Sequence, residues 1–148
     1  MTRIMTIVIF VFSLGTPLMA QDYTYRTVNE SFDDVSFSLE SAILDMGLAI
    51  DSISHVGDML ERTRADVGSD IILYSDALIY SFCSASISRQ VMEIDIMNIA
   101  FCPYGIFMFS TPGHPGQTTI GHRVMPGDSM APVNDFLDAI IAEAIGEP

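Results

Sequence analysis

Three side chains in the first half of the chain are spaced so that they can bind a metal-containing ligand. His55, Met59 and Arg62 follow one another at intervals of four and three residues, and these intervals place side chains on one face of an α-helix. Imidazole is a common axial ligand of haem iron, and a guanidinium pairs with carboxylates such as the haem propionates. The pattern therefore predicts haem as a candidate cofactor, with His55 as the iron ligand, Arg62 as a propionate partner and Met59 beside them.

The same residues also have a purely structural interpretation. His55 can cap the start of the helix, while Met59 fills the core. The other two histidines carry less information, because His114 lies in a Gly-Pro loop and His122 in a predicted strand. An exposed loop residue and a hydrogen-bonded sheet residue are the expected roles of these two. Covalent c-type haem is excluded, since no Cys-x-x-Cys-His motif occurs.

The two cysteines form the second candidate site. Cys83 ends one predicted strand and Cys102 precedes the next, with a helix between them, so both are expected at one edge of the sheet. In an exported domain such a pair most often forms a structural disulfide. Closing this loop would contribute about 3 kcal/mol on the loop-entropy model. A redox-active pair and soft-metal or haem-iron ligation remain alternatives, although the absence of Cys-x-x-Cys disfavours a thioredoxin-like role.

Motifs of the common enzyme classes are missing from the sequence. It contains no Gly-x-Ser-x-Gly elbow, no His-Glu-x-x-His, no phosphate-binding glycine-rich loop and no His and carboxylate cluster with metal-ligand spacing. The favoured interpretation is a small-ligand-binding protein without catalytic residues. The alternatives are a redox or sulfur-handling accessory protein that uses Cys83 and Cys102, and an acidic interaction module without a ligand.

The charge balance restricts the partners. The chain has no lysine, and six arginines face nineteen acidic residues, for a formal net charge of −13. Without Arg3, five arginines face the same nineteen carboxylates, which gives −14. Such a field repels nucleic acid and anionic membrane surfaces. A solvated acidic surface suited to a salty exterior is the favoured explanation, and docking of a basic protein is the alternative.

The N-terminus has the pattern of a cleavable export signal. Arg3 is followed by the uncharged apolar run Ile4 to Leu14, then by Gly15 and Pro17, with the small residue Ala20 before Gln21. The run is shorter than the ~20 residues that cross a bilayer. We therefore predict a signal peptide over residues 1–20, a single domain over residues 21–148, and a periplasmic or secreted location without membrane insertion after cleavage.

The spacing of apolar residues, together with capping and turn residues, predicts the strands and helices that position these residues. Alternation favours strands, predicted at Tyr23 to Val28, Leu48 to Ile53, Ala77 to Phe82, Tyr104 to Ser110 and Thr118 to Val124. Helical spacing with capping residues predicts helices, from Ser31 to Gly47, Val56 to about Ala65, after Ser84 or Ser86, and Pro132 to Gly146. Val56, Met59 and Leu60 are expected to face inward, and Ile71, Ile72 and Leu73 to anchor an irregular stretch to the core. The order predicts a two-layer α+β fold, a mixed or antiparallel sheet with helices mainly on one face.

The order of several short motifs resembles the domain-of-unknown-function 302 family over roughly Tyr23 to Ile145. The marks are Gly47-Leu48 after the first helix, His55 seven residues later, and Pro103 before the fourth strand. The resemblance implies a compact α+β domain that often forms homodimers, without a settled enzymatic activity and with haem binding suggested for some members. The chain departs from the commoner pattern in Cys83 and Cys102 and in Met59 to Thr63, which suggests an exported branch.

Overall fold

The computed structural model describes residues 22–147 as one antiparallel sheet with a helical layer. The five strands are β1 (Tyr23–Val28), β2 (Ile50–His55), β3 (Asp76–Phe82), β4 (Tyr104–Ser110) and β5 (Thr118–Arg123). The four α-helices are α1 (Phe32–Asp45), α2 (Val56–Thr63), α3 (Ala85–Ile94) and α4 (Ala131–Ala144), with 3-10 helices at Ile96–Phe101 and Asp128–Met130. The predicted signal peptide lies outside the described residues.

The strands are ordered β1-β5-β4-β3-β2, and every neighbouring pair is antiparallel. The α+β class predicted from the sequence is thus confirmed, and the sheet is antiparallel rather than mixed. β1 and β2 are the two edge strands, so the first strand of the chain joins the sheet beside the last one. Within residues 22–147, no helix is long and apolar enough to cross a membrane.

The core lies between one face of the sheet and helices α1, α3 and α4. Alternate residues of the central strands point into it and are fully or almost fully buried: Tyr80, Phe82, Tyr104, Ile106, Met108, Ile120 and His122. The helices supply Val35, Leu39, Ile43, Val91, Val133, Leu137 and Ile140. Each such apolar side chain contributes about 1.5–3 kcal/mol on burial. All of this burial lies on one side of the sheet.

Local signals account for the ends of α1. The Ser31 side-chain oxygen accepts a hydrogen bond from the Asp34 backbone N–H at 3.2 Å, which caps the first turn. At the other end Gly47 adopts φ +74°, and the Leu48 N–H donates to the Ile43 carbonyl at 3.3 Å. This is the glycine-terminated C-cap expected from the sequence, because a residue with a Cβ rarely adopts that conformation.

Two sequence-based predictions of burial are wrong. Ile71, Ile72 and Leu73 are 68, 53 and 55% exposed, so they do not anchor their segment to the core. Tyr74 packs instead, with its ring centroid 5.3 Å from that of Phe109. Met59 was expected to face inward but is 42% exposed, and α2 has no buried residue, because its main contact is with the adjacent strand β3 rather than with the core.

Candidate ligand-binding face

The face of the sheet opposite α1, α3 and α4 carries a large open groove. Alternation along each strand sends one set of side chains to the core and the other set to this second face, which we call the open face. Three rows form this face, each running across the sheet with one residue from β1, β5, β4 and β3 in that order, and each is named here after one of its members. The Arg123 row is Tyr23, Arg123, Gly105 and Ser81; the Phe107 row is Tyr25, Gly121, Phe107 and Ile79; the Phe109 row is Thr27, Thr119, Phe109 and Ala77.

The groove over the open face has a volume of about 1380 Å³. Tyr74 borders it beside the Phe109 row, and Ala100 to Pro103 and Val124 to Pro126 also line it. Its surface is mostly apolar and includes two aromatic pairs: the rings of Phe107 and Phe109 are stacked with centroids 6.4 Å apart, and those of Tyr23 and Tyr25 are 6.1 Å apart. Tyr23 and Tyr25 are 51 and 49% exposed. Large apolar surfaces of this kind are typical of binding sites.

Gly121 makes the close packing of the Phe107 row possible. A Cβ at this position would lie 2.8 Å from both the Phe107 ring and the Tyr25 Cβ, and would clash with the Thr24 carbonyl oxygen. The absence of a side chain at Gly121 therefore leaves room for the Phe107 ring on one side of β5 and for Tyr25 on the other.

The Arg123 row is more polar than the other two. Among residues 22–147, Arg123 and Asp22 are the only charged residues that line the groove, and Arg123 makes no ion pair with another described residue. Ser81, from β3, also lines the groove, and within residues 22–147 its hydroxyl makes no hydrogen bond to another residue. A cation and a hydroxyl thus lie at one end of an otherwise aromatic groove.

The structure places His55, Met59 and Arg62 outside this groove. His55 is the last residue of β2, and its partner in the register is Leu78, whose strand neighbours Ala77 and Ile79 belong to the open face. Its side chain is 63% exposed, and Nδ1 lies 3.6 Å from an Asp58 carboxylate oxygen. No side-chain hydrogen bond from His55 caps α2, so the capping role weighed from the sequence is absent.

Arg62 is also exposed, and no described carboxylate forms an ion pair with it. Its neighbour Glu61 is engaged by Arg64 through two hydrogen bonds of 3.0 and 3.1 Å. Hydrogen bonding to Glu61 and the negative charge of the Glu61 carboxylate raise the pKa of Arg64. The three residues predicted to contact haem are therefore exposed at the start of α2 and along it, and none of them lines the groove.

The remaining histidines have the environments expected from the sequence. His122 is fully buried, with Nδ1 2.8 Å from the Arg123 carbonyl oxygen and Nε2 3.3 Å from an Asp138 carboxylate oxygen. His114 is exposed in the loop between β4 and β5. Within the described part of the chain, no group of three or more His, Cys, Asp or Glu side chains is arranged to hold a metal ion.

Cys83 and Cys102 lie within disulfide-bonding distance, and their Cα atoms are 6.7 Å apart. Disulfides span Cα separations of about 4.4–6.8 Å. Cys102 borders the groove beside the Arg123 row, and the Ser88 hydroxyl lies 3.9 Å from its sulfur and 3.1 Å from the Tyr104 hydroxyl. The proximity of the two cysteines predicted from the strand order is confirmed.

The open face was not identified from the sequence. β4 carried the available signal, because it has apolar side chains at both alternating sets of positions, with Ile106 and Met108 on one side and Phe107 and Phe109 on the other. An antiparallel strand with one solvated face normally alternates apolar and polar residues. A second apolar face on β4 therefore indicates either a second covering layer or a binding surface.

Comparison with known proteins shows a likeness of fold. A crystal structure described as an uncharacterized conserved protein DUF302 from Bacillus stearothermophilus superimposes with a TM-score of 0.63 and 15% sequence identity, over 86% of this chain and 98% of that one. The chain has a DUF302-like fold, as the motif order suggested. No protein-family model and no curated protein sequence matches the chain.

Proposed function

We propose that this DUF302-like domain is an exported, non-enzymatic binding protein for a small, planar and largely apolar ligand, which occupies the open face of the sheet. The observation that carries the proposal is the aromatic groove of about 1380 Å³ on the side of the sheet opposite α1, α3 and α4. Export rests on the signal-peptide pattern of residues 1–20.

An apolar surface of this kind is unfavourable in water. Removing apolar surface from water stabilises a complex by about 25 cal/mol per Å², and stacked aromatic rings add a preference for flat partners. Ligand pockets in proteins are mostly apolar with a few polar groups, and usually enclose about 300–1,000 Å³. The open face has this composition, and its size accommodates a ligand at the upper end of that range.

A pair of matched variants tests the proposal. Phe107→Ala removes the central ring of the open face, whereas Phe37→Ala removes a ring of the same size that is 74% exposed on α1. We expect naphthalene-2-carboxamide to bind the wild type saturably in calorimetry, and Phe107→Ala to weaken binding about tenfold or more, as for loss of an aromatic contact. Phe37→Ala should bind like the wild type. Absence of saturable binding, or equal effects of the two variants, would contradict the proposal.

A second copy of the chain is the other occupant that this surface can accept, and the resemblance to the 302 family implies a homodimer. Sedimentation of the wild type and of Phe107→Ala separates the two cases. A wild-type dimer that dissociates in the variant, together with probe binding that weakens as protein concentration rises, would replace the ligand by a partner subunit. If the dimer persists in Phe107→Ala, its interface lies elsewhere on the protein, and the open face remains available for the ligand.

Haem ligation by His55 remains a second candidate. The observation in its favour is that the His55 ring is exposed and makes no capping bond, while Arg62 has no described ion-pair partner. Titration of the protein with haemin should then give a Soret band that His55→Ala abolishes and that His114→Ala and Phe107→Ala leave intact. A Soret band lost in Phe107→Ala but kept in His55→Ala would assign haem to the open face instead.

For the cysteines we propose a structural disulfide between Cys83 and Cys102. Cys102 borders the groove and Cys83 follows β3, so the bond would tie the segment that borders the groove to the end of that strand. The redox or sulfur-handling alternative requires a reactive dithiol in the native protein. Thiol titration of protein isolated from its export compartment distinguishes the two, since the structural role predicts no free thiol.

A further inference from the structure

We infer that the Arg123 end of the open face is a subsite for a single carboxylate, so that the ligand is a planar aromatic acid. The inference rests on the proposed ligand-binding function and narrows its chemistry. It comes from the arrangement of Arg123, Gly105 and Ser81 on three neighbouring strands, and from the charges around them.

The register of the sheet brings these three residues together. Ser81 on β3 pairs with Gly105 on β4. The pairing of β4 with β5 ends at Ile106 and His122, and the next position of the same antiparallel register is Gly105 opposite Arg123. A Cβ added at Gly105 would have only the Ile79 side chain at 3.6 Å and the Tyr80 carbonyl oxygen at 3.9 Å as neighbours. Gly105 therefore leaves a shallow space between the strand positions of the guanidinium and of the hydroxyl.

The charges favour one anionic group at this place. Three arginines are paired within the described chain, since Arg26, Arg64 and Arg89 contact Glu147, Glu61 and Glu93. Arg62 and Arg123 have no such partner in residues 22–147, and of the two only Arg123 lines the groove. A guanidinium binds a carboxylate through two parallel hydrogen bonds. Asp22 and the strongly acidic remainder of the protein disfavour ligands with several negative charges.

The adjoining Phe107 row supplies the surface for the ring of the ligand. Successive rows on one face of a strand are about 7 Å apart, so one aromatic acid can place its ring on Phe107 and Tyr25 and its carboxylate near Arg123. Ser81 provides a hydroxyl donor on the far side of Gly105. The Phe107 row would thus bind the aromatic ring of the ligand, and the Arg123 row would bind its carboxylate.

Two probes of equal shape test the subsite: naphthalene-2-carboxylate and naphthalene-2-carboxamide, titrated by calorimetry. We expect the wild type to bind the carboxylate roughly 10- to 100-fold more tightly, as for a hydrogen bond to a charged group. Arg123→Gln should abolish this preference and leave the affinity for the carboxamide unchanged. Arg89→Gln, which makes the same change of net charge on the exposed surface of α3, should leave both affinities unchanged.

The outcomes separate the subsite from the underlying function. Equal affinity of the wild type for the two probes, or a preference that persists in Arg123→Gln, would overturn the subsite while leaving the binding function in place. Failure of both probes to bind would overturn the proposed function and the subsite with it. Loss of the preference in Arg89→Gln as well would assign it to net charge and overturn the role of Arg123.

Discussion

Replacing Gly121 by alanine tests how the aromatic surface of the open face is built. The added methyl group would lie 2.8 Å from the Phe107 ring and from the Tyr25 Cβ, and it would clash with the Thr24 carbonyl oxygen. The Phe107 ring can move, but Thr24 belongs to the backbone of β1, which pairs with β5 along its whole length. The substitution must therefore displace the edge strand as well as the ring.

The magnitude follows from two opposing terms. In a strand interior alanine is favoured over glycine by roughly 0.5–1 kcal/mol, because the unfolded glycine has more conformational freedom. Overpacking costs about 1–3 kcal/mol and more where backbone has to shift. Since one of the three close atoms is a backbone oxygen, we expect the upper part of that range to apply, for a net destabilisation of about 2 kcal/mol.

Thermal unfolding and probe binding measure the effect. For a domain of this size, 1 kcal/mol corresponds to roughly 4 °C, so Gly121→Ala should lower Tm by about 8 °C and weaken binding of naphthalene-2-carboxamide. Gly105→Ala is the matched control for the change of Tm, because it adds the same methyl group to the same face of the neighbouring strand with its nearest atom at 3.6 Å, and its Tm should stay close to that of the wild type. A Gly121→Ala variant as stable as the wild type would refute the close packing of Phe107 over β5.

Three further predictions concern the whole protein. The double variant Cys83→Ser with Cys102→Ser should lower the free energy of unfolding by about 3 kcal/mol without abolishing the fold. The intact mass of the wild type should be two hydrogens below that of the reduced chain, and two alkylatable thiols in the native protein would contradict the disulfide. Tm should rise with NaCl up to a few tenths molar, because screening beyond ~8–10 Å reduces the self-repulsion of the mature chain, whose net charge without residues 1–20 is 5 − 19 = −14. A fall would show that favourable ion pairs dominate, and a basic partner would bind more weakly over the same range. The exported protein should begin near Gln21 by mass spectrometry, and a full-length species in the membrane pellet would contradict the predicted cleavage.

The elements were predictable from the sequence because their signals are local. β1 and β4 have the predicted bounds, and Ser31 and Gly47 delimit α1 through hydrogen bonds and backbone angles that involve only near neighbours. Strand β2 begins two residues later than predicted, so that His55 ends a strand as well as preceding a helix. Alternation identifies a strand more reliably than its first residue, since the pairing with β3 decides where the strand begins.

The proximity of Cys83 and Cys102 was also predictable, because the helix between them returns the chain to the same edge. The burial of Ile71, Ile72 and Leu73 was not. Apolar composition indicates that a segment can be buried, whereas its burial requires a surface to pack against, and here Tyr74 alone takes that place against Phe109.

The sequence by itself determined the α+β class, the order of strands and helices, the acidic charge and the candidate residues. Only the tertiary structure decided that Phe107 and Phe109 face a groove rather than the core, because the two apolar sets of β4 are equivalent until the helices cover one side. It also decided that Arg123 and Ser81, 42 positions apart in the sequence, share one row of the sheet. Strand register is a long-range property, set by the packing of all five strands together, and no local pattern encodes it.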